Sequence, residues 1–324
     1  MSDANDKLWD VIMIGAGPAA LSAAIYTTRE DLSTLIFEKG AIGGLAAVTD
    51  MIDNYPGFPK GVSGLDLADA LWAQAERFGT QMELGEVTEI IDQGDHKLLK
   101  TTSGDFKAKA VLIATGSDYK KIGVPGEKEF FARGVHYCAT CDGAFYRDKH
   151  LVVVGGGNSA VQEAIFLTRF ASGIDLLVRG DKFRASDVLV KELEKHADKI
   201  TVHLGTTTDE IVGELPDPTK SVVGKLQKVI GTDTSTGKKV EFPTDGVFVF
   251  VGLSPNTAFL KDSKVELDEI GFVKTDTGLQ TAIPGVFAAG DVRSGATMQI
   301  ASAAGEGASA ALMIRKHLEH SGSA

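Results

Sequence analysis

The sequence predicts an α/β protein built twice over, from two similar parallel-sheet units. Three observations predict it. The chain has 324 residues, enough for about two domains at roughly 150 residues each. It carries 37 glycines, well above the ~7% of average usage. No G-X-Y period or low-complexity run accounts for them, so tight backbone geometry must. Third, the chain repeats itself at an offset of 140: residues 11–29 (VIMIGAGPAALSAAIYTTR) and 151–169 (LVVVGGGNSAVQEAIFLTR) share seven of nineteen positions, among them Gly15/Gly155, Gly17/Gly157 and Ala20/Ala160.

Each copy reads as an apolar strand, a Gly-rich turn and a helix. A second apolar strand follows each, at Thr34–Phe37 and Ile174–Val178. That is the opening of a βαβ unit, twice. Leu65–Phe78 has helical spacing, with Leu67, Ala70, Leu71, Ala75 and Phe78 expected to face inward. Ala110–Ala114, Val247–Val251 and Val286–Ala289 are short apolar runs of buried-strand type, the last leading into Gly290-Asp291. Leu215–Pro218 reads as a Pro-containing turn and Thr232–Lys239 as a hairpin tip. Ala301–His317 is expected to be a helix with Ala304, Ala308, Ala311, Leu312 and Ile314 inward, and Ser321–Ala324 a frayed end.

The formal charge is 33 − 44 = −11. An acidic chain repels a phosphate backbone, which argues against nucleic acid, and no polybasic run suggests a membrane surface. The apolar run Val11–Tyr26 is too short to span a bilayer. Asp3, Asp6 and Asp10 outweigh Lys7 where a signal peptide needs positive charge, so the expected location is cytoplasmic.

A single G-x-G-x-x-G/A match is weak evidence, but two in matching βαβ contexts point to two dinucleotide sites. The glycine pair lets backbone approach a pyrophosphate at a helix N-terminus, where free N–H groups favour anions. Gly15, Gly17 and Ala20 form the first site, and Gly155, Gly157 and Ala160 the second. The alanine in third position still permits close helix–strand packing. The end of the second strand separates the two. Glu38 in the first copy suits an adenosine ribose, as in FAD or NAD. In the second copy Val178 is followed by Arg179, a cation suited to the 2′-phosphate of NADP. The competing reading of both residues is a solvated charge at a strand end.

The only two cysteines, Cys138 and Cys141, form a C-x-x-C, pointing to redox chemistry or half a metal site. Zinc would need two more ligands, and the seven histidines show no H-x-x-x-H spacing, so no metal is expected. Asp142 could shuttle a proton when a thiolate leaves, or be a turn residue. His136 could lower a thiol pKa, but reads more simply as a surface histidine. A nicotinamide, a flavin and a dithiol form a continuous two-electron path.

The sequence resembles the low-molecular-weight, bacterial-type thioredoxin reductases over essentially its whole length. The motifs are GAGPAALSAAIY (15–26), Gly43-Gly44, NYPGFP (54–59), ATG (114–116), GVHYCATCDG (134–143), VVVGGGNSAVQEA (152–164), GVFVFVGLSPNT (246–257), GVFAAGDVR (285–293) and QIASAAGEGASAAL (299–312). The resemblance implies a discontinuous FAD domain (1–116 and 252–324) into which an NAD(P)H domain (117–251) carrying the C-x-x-C is inserted. It implies that Cys141 faces the flavin, Cys138 attacks the partner's disulfide and Asp142 donates the proton. It puts Gly43, Gly44, Asn54, Gly290, Asp291 and Gln299 in the FAD site, and Asn158, Ser159 and Arg184 in the NADPH site. It also implies a thioredoxin-like partner and a homodimer.

Three departures stand out. The family's usual HRR reads Val178-Arg179-Gly180, its GGQ reads Gly43-Gly44-Leu45, and its Arg-Gln reads Met298-Gln299. The expected activity is therefore electron transfer from NADPH through FAD and the Cys138/Cys141 dithiol to a thioredoxin-like disulfide. The alternative keeps fold and dithiol but uses another donor, such as NADH or ferredoxin, or runs as a flavin-dependent dithiol oxidase.

Overall fold

The structure is a computed structural model and describes residues 7–49, 51–52, 54–214 and 225–321. The expected turn at Leu215–Pro218 and the last three residues of the expected frayed end lie outside these. The chain forms two compact units, one comprising residues up to Asp118 and from Ser254 onward, the other Tyr119–Leu253.

In the first unit the order is β1 (Leu8–Ile14), α1 (Pro18–Arg29), β2 (Thr34–Glu38), α2 (Gly64–Arg77), β3 (Gln81–Leu84), β4 (Val87–Asp92), β5 (Lys97–Thr101) and β6 (Gly104–Ile113). β7 (Ser117–Tyr119) leads out. The second unit runs β8 (Val135–His136), α3 (Ala139–Asp142), β9 (His150–Val154), α4 (Asn158–Leu167), β10 (Gly173–Val178), α5 (Asp187–Glu194), β11 (Ile200–Leu204), β12 (Thr206–Glu214), β13 (Lys225–Asp233), β14 (Lys239–Pro243) and β15 (Gly246–Val249). β16 (Leu253–Pro255) leads back, and β17 (Val286–Ala288) and α6 (Ile300–Ser321) complete the first unit.

The first sheet is ordered β3-β2-β1-β6, all parallel, and β17 extends it along the C-terminal half of β6. The N-terminal half of β6 instead pairs antiparallel with the β4–β5 hairpin. The second unit repeats the parallel order as β11-β10-β9-β15-β8, with a separate antiparallel meander β12-β13-β14. In both units the first strand is central and the second and third lie to one side, so the sequence repeat is a structural repeat of the Rossmann type. β1 and β9 are buried almost throughout, because helices or further strands cover both faces.

α1 starts where Gly17 takes extended backbone and Pro18 supplies a preset φ at the first turn. Half of its buried residues are alanine, which lets α6 approach closely: a Cβ on Gly307 would lie 2.0 Å from the Ala19 carbonyl oxygen. This contact corrects the expected inward face of α6. The buried residues are Ala303, Gly307, Ala310, Ala311 and Ile314, whereas Leu312 is exposed and Ala304 and Ala308 are half-buried. The stripe of smallest residues, not the largest apolar one, sets the face. In α2, Ala68 is buried in place of the expected Ala70, which is exposed. Gly43 causes this: its missing Cβ would lie 2.4 Å from the Ala68 methyl, so α2 rests on the glycine turn through Ala68.

Candidate functional site

The two glycine turns are built alike. Gly15 (φ 96°) sits where a Cβ would meet the Ala114 carbonyl at 2.6 Å; Gly155 (φ 148°) would meet the Phe250 carbonyl at 2.4 Å and the Ala160 methyl at 2.7 Å. Both positions thus require glycine sterically. Gly17 and Gly157 cap α1 and α4, and a Cβ on either would point into open space. Neither helix has a side-chain cap, so first-turn N–H groups are left for an anion. Ala20 and Ala160 are fully buried.

Around the first turn, Gly43 N–H donates to the Ala16 carbonyl, and the missing Cβ of Gly44 faces the Gly17 Cα at 3.9 Å. Glu38 ends β2, and its carboxylate accepts from Ala16 N–H and Gly40 N–H, each at 2.7 Å. That bracing role was not foreseen. Each oxygen keeps a lone pair for a ribose hydroxyl. Glu38, Lys39, Gly40, Leu84, Gly85, Glu86 and Thr102 line an open cleft of about 480 Å³, where Leu84 is 73% exposed and offers an adenine an apolar face. The glycine cradle, the cleft and the carboxylate fit the pyrophosphate and adenosine of FAD.

Gly290 and Asp291 follow β17. Glu306 of α6 clamps this loop by accepting from Gly290 N–H (2.8 Å) and from Arg293 at Nε (3.1 Å) and Nη2 (2.5 Å). Burial and the nearby Glu306 carboxylate push the Asp291 carboxyl up to about 6. Asn54 Nδ2 donates to Gln299 Oε1 at 3.1 Å, and Gln299 Nε2 donates to the Met298 carbonyl. Two residues 245 apart in sequence therefore meet. The Glu306 clamp was missed in the sequence because its partners lie on a loop far away in the chain, with no local spacing to mark them.

In the second unit, Asn158 Oδ1 accepts from Ser186 N–H, and Ser159 is exposed beside it. Arg184 N–H donates to the Gly156 carbonyl, which fixes the 179–185 loop against the glycine turn. The side chains of Arg179 and Arg184 are exposed and form no ion pair with a described residue. They are cations available to a 2′-phosphate. Val178 is buried and packs on Gly156, so no acid ends this strand.

Cys138 caps α3 and is joined to Cys141 in a disulfide with a Cα–Cα distance of 5.3 Å. The Cys141 N–H donates to Cys138 Sγ at 3.2 Å, a bond that a thiolate would strengthen. Both cysteines and Asp142 are half-buried. His136 is not a surface residue: it is buried at 9% exposure, stacked on Phe248. Its Nδ1 lies 3.1 Å from Asp142 Oδ2 and its Nε2 2.7 Å from the Tyr146 hydroxyl. The β8–β15 pairing draws it in, since Phe248 is its register partner. Among the described residues no group of three or more His, Cys, Asp or Glu is arranged to hold a metal ion, and no helix is long and apolar enough to cross a membrane.

Two similar dinucleotide folds and a redox-active disulfide define a flavin- and nicotinamide-type disulfide oxidoreductase by architecture. The comparisons with known proteins agree. A family model described as pyridine nucleotide-disulphide oxidoreductase matches residues 9–307. A thioredoxin reductase of Bacillus subtilis is 43% identical over 315 residues, covering 97% of this chain and 96% of its own length. The crystal structure of thioredoxin reductase from Streptococcus pyogenes is 40% identical with a TM-score of 0.89, covering 98% of this chain and all of its own. Thioredoxin reductase from Giardia duodenalis also superposes at 0.89, with 31% identity and 97% of this chain covered. The chain belongs to the pyridine nucleotide-disulphide oxidoreductases and, within them, to the low-molecular-weight thioredoxin reductases.

Proposed function

We propose that this enzyme takes electrons from NADPH, holds FAD in its first unit, and passes two electrons through Cys138 and Cys141 to the disulfide of a thioredoxin-like protein. The observation that carries the reading is the Cys138–Cys141 disulfide at the N-terminus of α3, in the same chain as two glycine-turn nucleotide folds. Bound FAD would supply the step from hydride to dithiol chemistry. The first unit would hold it through Gly15, Gly17, Ala20, Glu38, Gly43, Gly44, Asn54, Gly290, Asp291 and Gln299. The second unit would hold NADPH through Gly155, Gly157, Asn158, Ser159, Ala160, Arg179 and Arg184. Arg179 and Arg184, both exposed and in no ion pair with a described residue, favour the phosphorylated nucleotide.

In the sulfur chemistry, Cys138 attacks the partner and Cys141 resolves the mixed disulfide, while Asp142 gives and takes the proton. A homodimer completes the proposal. Gly64 N–H donates to the Thr49 carbonyl, so segment 44–49 lies against the start of α2, and Leu45, Val48 and Leu65 there are 41%, 51% and 58% exposed.

The test is direct. Protein purified without added cofactor should be yellow, release FAD on denaturation, and reduce an oxidised bacterial thioredoxin with NADPH. A folded, colourless preparation that takes up no FAD would reject the reading.

A further inference from the structure

We propose that His136 and Tyr146 are positioning residues for the dithiol's proton chemistry: the imidazole sits against one oxygen of Asp142 and confines the carboxyl, and the Tyr146 hydroxyl, hydrogen-bonded to the other ring nitrogen, holds the imidazole there. The proposal rests on the reading of Asp142 as proton donor.

The geometry is a hydrogen bond and a close polar contact in series, on the two nitrogens of one imidazole. His136 Nε2 lies 2.7 Å from the Tyr146 oxygen and Nδ1 lies 3.1 Å from Asp142 Oδ2. Tyr146 keeps its proton, because burial first, then the charges of Asp142 and Asp245, push its hydroxyl up. The neutral hydroxyl shares its hydrogen bond with Nε2 and pins the ring. The other ring nitrogen, Nδ1, faces Asp142 Oδ2. Oδ1 is left to exchange a proton with sulfur.

Packing holds every member in place. The His136 ring stacks on Phe248 at 5.2 Å with 29° between planes, and the Tyr146 ring meets both edge-on, at 5.2 Å and 5.6 Å. Tyr146 can lie there because residue 246 is glycine: a Cβ would come within 2.4 Å of its ring. The two charges acting on Tyr146 are Asp142 from α3 and Asp245 from the strand start before β15. Three elements thus converge on a carboxylate adjoining Cys141.

The exchange it serves balances as follows. The Cys138 thiolate attacks the partner disulfide, forming a mixed disulfide and expelling a partner thiolate, which takes the Asp142 proton. Asp142 then takes the Cys141 proton as Cys141 attacks Cys138 Sγ. The second partner thiolate leaves and receives that proton. The enzyme dithiol is oxidised by two electrons and the partner disulfide reduced by two. An Asp142 carboxyl free to rotate would meet the departing sulfur only part of the time.

The test uses reduced holoenzyme mixed anaerobically with a purified bacterial thioredoxin in its disulfide form, over a range of pH. Tyr146→Phe removes one oxygen, and His136→Phe keeps the stack and removes both nitrogens. We expect Tyr146→Phe to slow the exchange about 10-fold and His136→Phe up to about 100-fold, the scale of a general acid's contribution. The loss should fall on this exchange alone: flavin reduction by NADPH in the same variants should keep its wild-type rate, which a general loosening of the fold would not spare. Rates and profiles that superpose on wild type, alongside a slow Asp142→Asn, would overturn the proposal alone. A fast Asp142→Asn would instead remove the reading of Asp142, and the proposal with it. If His136→Phe does not fold, Tyr146→Phe decides.

Discussion

Asp291→Asn in cofactor-stripped protein should stabilise the fold at neutral pH and do nothing near pH 4. The Asp291 carboxyl is raised from 3.8 to about 6, by burial first and by Glu306 second. A raised acid is the reverse of the usual surface case, so its ionisation costs stability instead of adding it. Below about pH 4 the group is protonated both folded and unfolded, and adds no pH-dependent term. Between 4 and 6 the unfolded chain loses its proton first, and the folded state becomes relatively less stable. Above 6 the full cost is present. The gap of 6 − 3.8, at 1.36 kcal/mol per unit, is about 3 kcal/mol. The residue is only half-buried, so screening makes that figure a ceiling, and about 2 kcal/mol is the working value. Urea unfolding of both proteins from pH 4 to pH 8 measures the difference. It should grow from near zero to about 2 kcal/mol across pH 4–6 and stay flat above. A difference that is constant with pH would show that the Asp291 carboxylate carries no such cost. The same substitution should weaken FAD retention, as expected where a costly carboxylate is kept for binding.

Other outcomes follow from the same geometry. Cys138→Ser and Cys141→Ser should each abolish thioredoxin reduction while NADPH still bleaches the flavin in stopped-flow, because the hydride step precedes any sulfur chemistry. Gly180→Arg should tighten NADPH about 10-fold by adding a charge-assisted contact beside Arg179 and leave NADH binding unchanged, as read by titration. Gly307→Val should cost about 2 kcal/mol or more of stability, measured by denaturation, because even a Cβ would lie 2.0 Å from the Ala19 carbonyl.

The repeated βαβ openings were legible because backbone constraint leaves a local mark. Gly15 and Gly155 have no room for a side chain, and the strands before them run apolar over their last four positions, Val11–Ile14 and Leu151–Val154, because both sheet faces are covered. The β4–β5 hairpin and the first half of β6 were not read, since Gly104–Lys109 alternate buried and exposed over few residues and hold no continuous apolar run. The inward face of α6 was misjudged through Leu312, because helix proximity is decided by Gly307 and the alanines rather than by side-chain size. At the dithiol, the cysteines and Asp142 announce themselves by spacing. His136 does not: its burial comes from strand pairing with Phe248 and its hydrogen bond from Tyr146, ten residues on. Glu306 was silent for the same reason, its partners being a loop at Gly290 and Arg293.

In the proposed route, electrons reach the Cys138–Cys141 disulfide through FAD from NADPH. Anaerobic titration of purified enzyme with NADPH, following flavin absorbance and free thiols together, tests it most directly. The expected consumption is about two equivalents per chain, one for the flavin and one that opens the disulfide to two thiols, with both Cys→Ser variants stopping near one. Flavin that NADPH leaves oxidised, or that bleaches while no thiols appear, would contradict it.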